Sequence, residues 1–225
     1  KVALPHLFRL TEAKFDHDPW LRHGLASALA ACADAADLIA QKNSHSAAIR
    51  RMALLALRKQ KNPAVAVFLT DNSPLIVTDA ARAIYEERYS DVNLNLASFN
   101  PTEILKKEWS DFNREAFLRR WLQANLRQGD SVSASRLVAF ALDHRFAENL
   151  RLESISTLAQ WDKPASFDAV QGIYYPITEK GRELQSAKLQ FALKTTDFLS
   201  LKQTVQIQLA SLQFIEKHGS LQHLP

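Results

Sequence analysis

Apolar residues recur along this chain at helical intervals, and five segments share one register. Asp18–Leu29, Ser46–Leu57 and Ser73–Ile84 align without gaps, each with a small polar start, a one-turn spacer and then apolar and Ala positions three and four apart. Ser110–Trp121 and Ala147–Leu158 keep the register less cleanly. The segment ends at 29, 57, 84, 121 and 158 lie 28, 27, 37 and 37 residues apart, the spacing of a helix-turn-helix repeat. In the helix expected over Ala47–Gln60, Ile49, Met52, Ala53 and Ala56 form one stripe, and Leu54, Leu55 and Leu57 widen it beyond a single face. Such a helix needs neighbours on several sides, as the middle layer of a stack of helical pairs provides. The predicted fold is therefore all-α: a right-handed solenoid of five to six helix pairs, with residues 1–225 as a single repeat domain.

Punctuation supports this reading. Asp18-Pro19, Asn62-Pro63, Ser73-Pro74 and Asn100-Pro101 each pair an N-cap side chain with a proline already set at helical φ. Glu103, three residues after Asn100, resembles the partner of a capping box. The runs Ala33–Ala40 and Pro63–Leu69 read as the second helices of their pairs, although Ala64–Leu69 also has the residues of a buried strand. A long helix is expected from Asp111 to Gln128, ended by Gly129 and Asp130. Residues 161–177, with two Pro and one Gly, read as an irregular excursion packed by its own aromatics, and no β-hairpin signal stands out. Helices resume over Arg182–Lys194 and Asp197–Lys217, with Leu199, Leu201, Val205, Leu209 and Leu212 as the core-facing stripe of the second.

Composition narrows the function classes. The chain carries 28 Lys+Arg against 24 Asp+Glu, a net excess of +4 scattered among acids, which is a weak footprint for nucleic acid. One cysteine, Cys32, leaves no internal disulfide and no Cys-Cys metal site, and packing in the core is its expected role. Five Gly provide no phosphate-binding loop and no nucleophile elbow. No run is long and apolar enough for a membrane span, and the first residues lack a signal-peptide pattern. Lys1 stands where an initiator Met would, and Pro225 follows no polar cap, so a segment of a longer protein is expected.

The stretches Asp18–Ala30 and Ala47–Glu87, together with Leu158–Ile177, resemble the HEAT-repeat region of bacterial (planctomycete/verrucomicrobial-type) membrane-bound dehydrogenase proteins that carry a c-type haem domain. The likeness covers about the first 180 residues, and the Trp161–Pro176 segment is its more telling part. The resemblance implies a parent with an N-terminal β-propeller like sugar dehydrogenases, then helical repeats, then a small haem domain, in the periplasm or cell envelope. Haem c is expected only in that parent, because the attachment motif is absent from this sequence. Neighbouring domains of the same chain, the propeller and the haem domain, or another protein are then the implied partners.

No catalytic, cofactor-binding or metal-binding residue is assigned. Asp16, His17 and Asp18 supply ligand types without a third converging partner, and Asp18 is better placed as an N-cap. The seven histidines include no His-x-x-x-His pair. Arg22, Arg50, Arg114 and Arg151 occupy one repeat position, either as a positive ladder for a polyanion or, as favoured here, as internal partners of carboxylates such as Asp79, Glu115 and Glu153. The basic runs Arg50-Arg51, Lys59-Gln60-Lys61, Lys106-Lys107 and Arg119-Arg120 read as solvated faces. Trp20 and Trp121 fall in helical stripes and are expected in the core; Trp161, Tyr174 and Tyr175 are the candidate exposed interaction residues. The expected role is a non-catalytic scaffold or docking domain. The alternative is a basic HEAT-like nucleic-acid-binding module or DNA glycosylase.

Overall fold

The computed structural model describes residues 3–14, 18–106, 108–178 and 180–218. The described chain is all-helical, with no strand. Its Cα packing falls into two compact units: residues up to Leu96 with Thr102–Phe117, and Ala97–Pro101 with residues from Leu118 onward.

In the first unit, α1 (Leu4–Lys14), α2 (Pro19–Cys32), α3 (Ala35–Ala40), α4 (Ala47–Lys59) and α5 (Pro74–Glu86) follow in order, with a short 3-10 turn at Gln41–Asn43 between α3 and α4 and a longer 3-10 segment over Pro63–Thr70 between α4 and α5. Helix α4 is the middle element. It packs against α1, α2, α3, α5 and the Pro63–Thr70 segment, and buries Met52, Ala53, Leu54, Ala56 and Leu57. This is the environment its wide apolar stripe demands. Pro19, Pro63 and Pro74 open their helices as read from the sequence, but Ser73 makes no side-chain cap bond before Pro74. Asp18 accepts from the Trp20 amide at 2.8 Å, and Asn62 from the Ala64 amide at 2.9 Å. Pro63–Thr70 is helical rather than extended, but wound as a 3-10 helix that buries Val65, Phe68 and Leu69. Helix α6 (Ser90–Ala97) and a 3-10 turn at Pro101–Lys106 follow.

Contacts in this unit recur 27 to 30 residues apart along the chain. Arg51 meets Asp79 at 2.7 Å, and Arg58 meets Glu86 at 2.9 Å and Glu87 at 3.0 Å, so that α4 is stapled to α5 along its length. Gln60 reaches back to donate to the carbonyls of Ala30 and Ala33.

The second unit is built around α8 (Ser131–Leu142) and α9 (Glu148–Leu158), with α10 (Ser186–Ala192) on α8, α11 (Thr195–Phe198) beside α12, and α12 (Val205–His218) on α9. Helix α7 runs from Asp111 to Gln128, as its pattern predicts, and its residues from Leu118 belong to this unit. Within it Trp121 is buried and donates to the Phe99 carbonyl at 2.8 Å, and buried Asn125 donates to the carbonyls of Ala97 and Trp121. Gly129 takes φ +71° after α7, while Asp130 caps the next helix by accepting from the Ser133 amide. Helix α8 lies outside the five aligned segments.

Two stretches of the second unit differ from expectation. Arg182–Gln185 is not helical, because Arg182 and Glu183 are drawn against the α7–α8 turn. The continuous helix expected from Asp197 to Lys217 is broken between Phe198 and Val205. Helix α12 also presents the opposite face. Ile207, Ser211 and Phe214 are buried, whereas Leu199, Leu201, Val205, Leu209 and Leu212 are exposed. Both sets follow helical spacing on α12, two residues apart and so about 200° around the helix. The aromatic stripe wins the interior, because Phe214 stacks on Phe191 at 4.1 Å and Phe191 on Phe198 at 4.1 Å.

Candidate functional site

The aligned arginines do not form a ladder. Arg50 makes a two-pronged pair with Asp71, at 2.8 and 3.1 Å, and Asp79 goes to Arg51 instead. The hydrogen bond to Asp71 dominates and raises the Arg50 guanidinium above its ordinary value, against a smaller opposing effect of burial. Arg114 pairs with Asp111 on its own helix, and Glu153 pairs with Arg119. Arg151 is buried and makes no ion pair among the described residues. It donates to the Ala141 carbonyl and to Gln203, and desolvation lowers its pKa. One repeat position thus meets different neighbours, since the chain following each helix differs in length and content. Arg22 lines a groove, described below.

The excursion 161–177 is an ordered structure rather than a strip of exposed aromatics. Trp161 is only 1% exposed, which removes it as a surface interaction residue. Its indole donates to the Glu183 carbonyl at 3.1 Å, and Arg182 lies over its ring at 5.2 Å. Arg182 also donates to the carbonyls of Leu126 at 2.6 Å and Trp161 at 2.8 Å, while Glu183 accepts from the Ser131 amide and donates its own amide to the Gly129 carbonyl. Desolvation lowers the Arg182 pKa. The loop therefore uses its tryptophan as a small core of its own. Beyond it, Asp168 holds a turn by accepting from the Val170 and Gln171 amides and pairs with Arg127 at 2.7 Å. A single antiparallel bridge joins Phe167 to Tyr174, a pairing with no clear signal in the sequence. Tyr175 is half-buried beneath Arg127, whereas Tyr174 is 66% exposed and packs edge-on against exposed Phe167.

Trp20 is 84% exposed, contrary to its expected place in the core. The buried face of α2 consists of Leu25, Ala26 and Leu29, and Leu29 lies nine residues on, about half a turn around the helix from Trp20. Cys32, expected to pack inside, is exposed at the end of α2. Asp16, His17, Lys107 and His223 lie outside the described residues.

A groove of about 550 Å³ in the first unit gathers charge that the sequence scatters. Arg22 and His23 come from α2, Arg58 and Lys59 from the last turn of α4, Lys61 from the turn after it, and Glu87 from the end of α5. Ala26 and Leu55 supply apolar wall. Arg58 is held in place by Glu86 and Glu87. Burial lowers its pKa, but the two carboxylates more than offset this and leave it raised. Its Nε and Nη2 are used in those pairs, leaving Nη1 without an acceptor among the described residues. The runs of basic residues were legible in the sequence, but the convergence of α2 with the α4 terminus was not.

No protein-family model, curated protein or solved structure matches this chain.

Proposed function

We propose that this chain is a non-catalytic helical-repeat scaffold, a HEAT-like stack of helical pairs that holds other domains or proteins in place. What supports the repeat part of the reading is the set of α4–α5 ion pairs, whose members lie 28 and 29 residues apart, close to the repeat interval. The docking part rests on one observation: α12 leaves a whole apolar stripe, Val205, Leu209 and Leu212, in solvent, and Leu193, just after α10, and Leu201, 99% exposed, are in solvent too. Exposed aliphatic rows of this kind mark surfaces that meet another polypeptide. By the resemblance of its sequence, the surroundings would be the periplasm or cell envelope, and the neighbours a propeller and a haem domain of the same parent.

Cross-linking mass spectrometry on the full-length gene product tests this. Cross-links from Lys188, Lys194 and Lys202, which precede the stripe in sequence, are expected to reach residues outside this chain. Cross-links confined to the chain would count against docking here. Turnover of an aldose by the purified chain, or a discrete Soret band after exposure to haem, would overturn the non-catalytic reading. The nucleic-acid alternative loses ground because Arg50, Arg51, Arg58, Arg119 and Arg127 are engaged with carboxylates. Nanomolar duplex binding with a steep salt dependence would restore it.

A further inference from the structure

We propose that the groove between α2 and the α4 terminus is a binding site for a small, multiply charged oxyanion, a molecule carrying a diphosphate or two phosphoryl groups. Four cationic side chains, Arg22, Arg58, Lys59 and Lys61, and the imidazole of His23 line it, against one lining carboxylate, Glu87. That carboxylate is already engaged with Arg58. The ammonium groups of Lys59 and Lys61 have no ion-pair partner among the described residues, whereas Arg51 and Arg58 of α4 are paired with carboxylates of α5. A volume of about 550 Å³ suits a small molecule and is far too little to seat a duplex. Planar guanidinium donors and mobile ammonium charges together match phosphoryl oxygens.

The backbone fixes where Lys61 sits. Helix α4 ends in a Schellman turn, with the Lys61 amide bonded to the Arg58 carbonyl and the Asn62 amide to the Leu57 carbonyl, both at 3.0 Å. The residue between, Lys61, must be left-handed, and it sits at φ +52°. Glycine is the usual occupant of this position because a Cβ is disfavoured there. Arg88 after α5 and Gln185 before α10 take the same left-handed conformation, at φ +60° and +66°, so this backbone serves to end α4 and in doing so brings the Lys61 side chain to the groove. Gln60, one residue before, is anchored to the Ala30 and Ala33 carbonyls of the α2 end, so the turn that carries Lys61 is fixed against α2 rather than left to swing.

The strain makes the proposal separable from a structural role. Titration calorimetry with inorganic pyrophosphate is expected to show saturable binding at one site per chain. Lys59→Gln with Lys61→Gln should weaken it by at least about tenfold, since each charge-assisted bond lost is worth about that factor. Lys188→Gln with Lys194→Gln, a pair remote in sequence, should leave it within about twofold. Lys61→Gly should raise the thermal midpoint while weakening pyrophosphate binding, a combination that a merely structural lysine does not produce. Absence of saturable heat, equal losses in both double variants, or unchanged binding by Lys61→Gly overturns the site. So does duplex DNA or an acidic peptide that binds more tightly than pyrophosphate and competes with it.

Discussion

Gly129 and Arg182 are coupled in a way that a double-mutant cycle can measure. Gly129 sits at φ +71°, and a Cβ placed on it would lie 2.8 Å from Arg182 Nη1 and 3.0 Å from Cγ and Cζ of the same side chain. Gly129→Ala therefore carries two costs. The left-handed backbone alone costs about 1–2 kcal/mol for a residue with a Cβ. Relieving the collision displaces Arg182 from the Leu126 and Trp161 carbonyls, which it holds at 2.6 and 2.8 Å, and from the face of the Trp161 ring. For a half-buried guanidinium the loss of those contacts is worth about 2–3 kcal/mol, the lower part of the range for charge-assisted bonds. The expected total for Gly129→Ala is about 3–5 kcal/mol. In an Arg182→Ala background the collision is already gone, so Gly129→Ala should cost only about 1–2 kcal/mol, leaving a coupling of about 2–3 kcal/mol. Urea unfolding followed by tryptophan fluorescence and far-ultraviolet circular dichroism measures all four corners. Additivity to within about 0.5 kcal/mol would refute the claim that Arg182 clasps the α7–α8 turn.

Further outcomes follow from the same geometry. Leu54→Ala, at a fully buried position in the middle helix, should cost about 2–5 kcal/mol, and a loss under about 0.5 kcal/mol in chemical denaturation would show that α4 is not enclosed by its neighbours. Asp168→Ala removes a carboxylate that pairs with Arg127, whose side chain is 10% exposed, and frees two turn amides, so a loss of about 3 kcal/mol and faster protease cleavage within 163–177 are expected; an unchanged cleavage rate contradicts this. His218 has its pKa lowered by desolvation first and by Lys217 second, and its ring packs at 4.9 Å from Phe214. The unfolded chain then binds the proton more readily. The stability this histidine contributes is present above its unfolded value near 6.5 and is lost as pH falls through the lower folded value. His218→Phe should flatten that part of the pH–stability curve, and an identical curve for both proteins would rule the residue out as its source.

Local periodicity and turn chemistry carry much of this fold, and they are properties of neighbouring residues in the chain. The bounds of α7, the N-caps Asp18 and Asn62, the left-handed Gly129 and the enclosure of α4 are all written in short stretches of sequence. Where periodicity offers two answers, it cannot choose. Helix α12 carries two apolar stripes on opposite faces, and only the stack of Phe191, Phe198 and Phe214 decides which is inside. Trp20 and Trp161 exchange their expected places for a similar reason. A first-turn tryptophan follows the face its helix happens to bury, and a loop large enough to need a core makes one from its own aromatic ring.

Ionic partners and the cationic groove belong wholly to the tertiary level. The Lys59-Gln60-Lys61 run is visible in the chain, but Arg22 and His23 join it only because α2 packs on α4, and the left-handed turn at Lys61 arises only because α4 stops there. The sequence by itself determined that this protein is helical and where its helices start, since helix signals act over one or two turns. The faces that helices share, and the charges brought together between them, were decided by packing, because a side chain's partner across space depends on the length and path of all the chain in between.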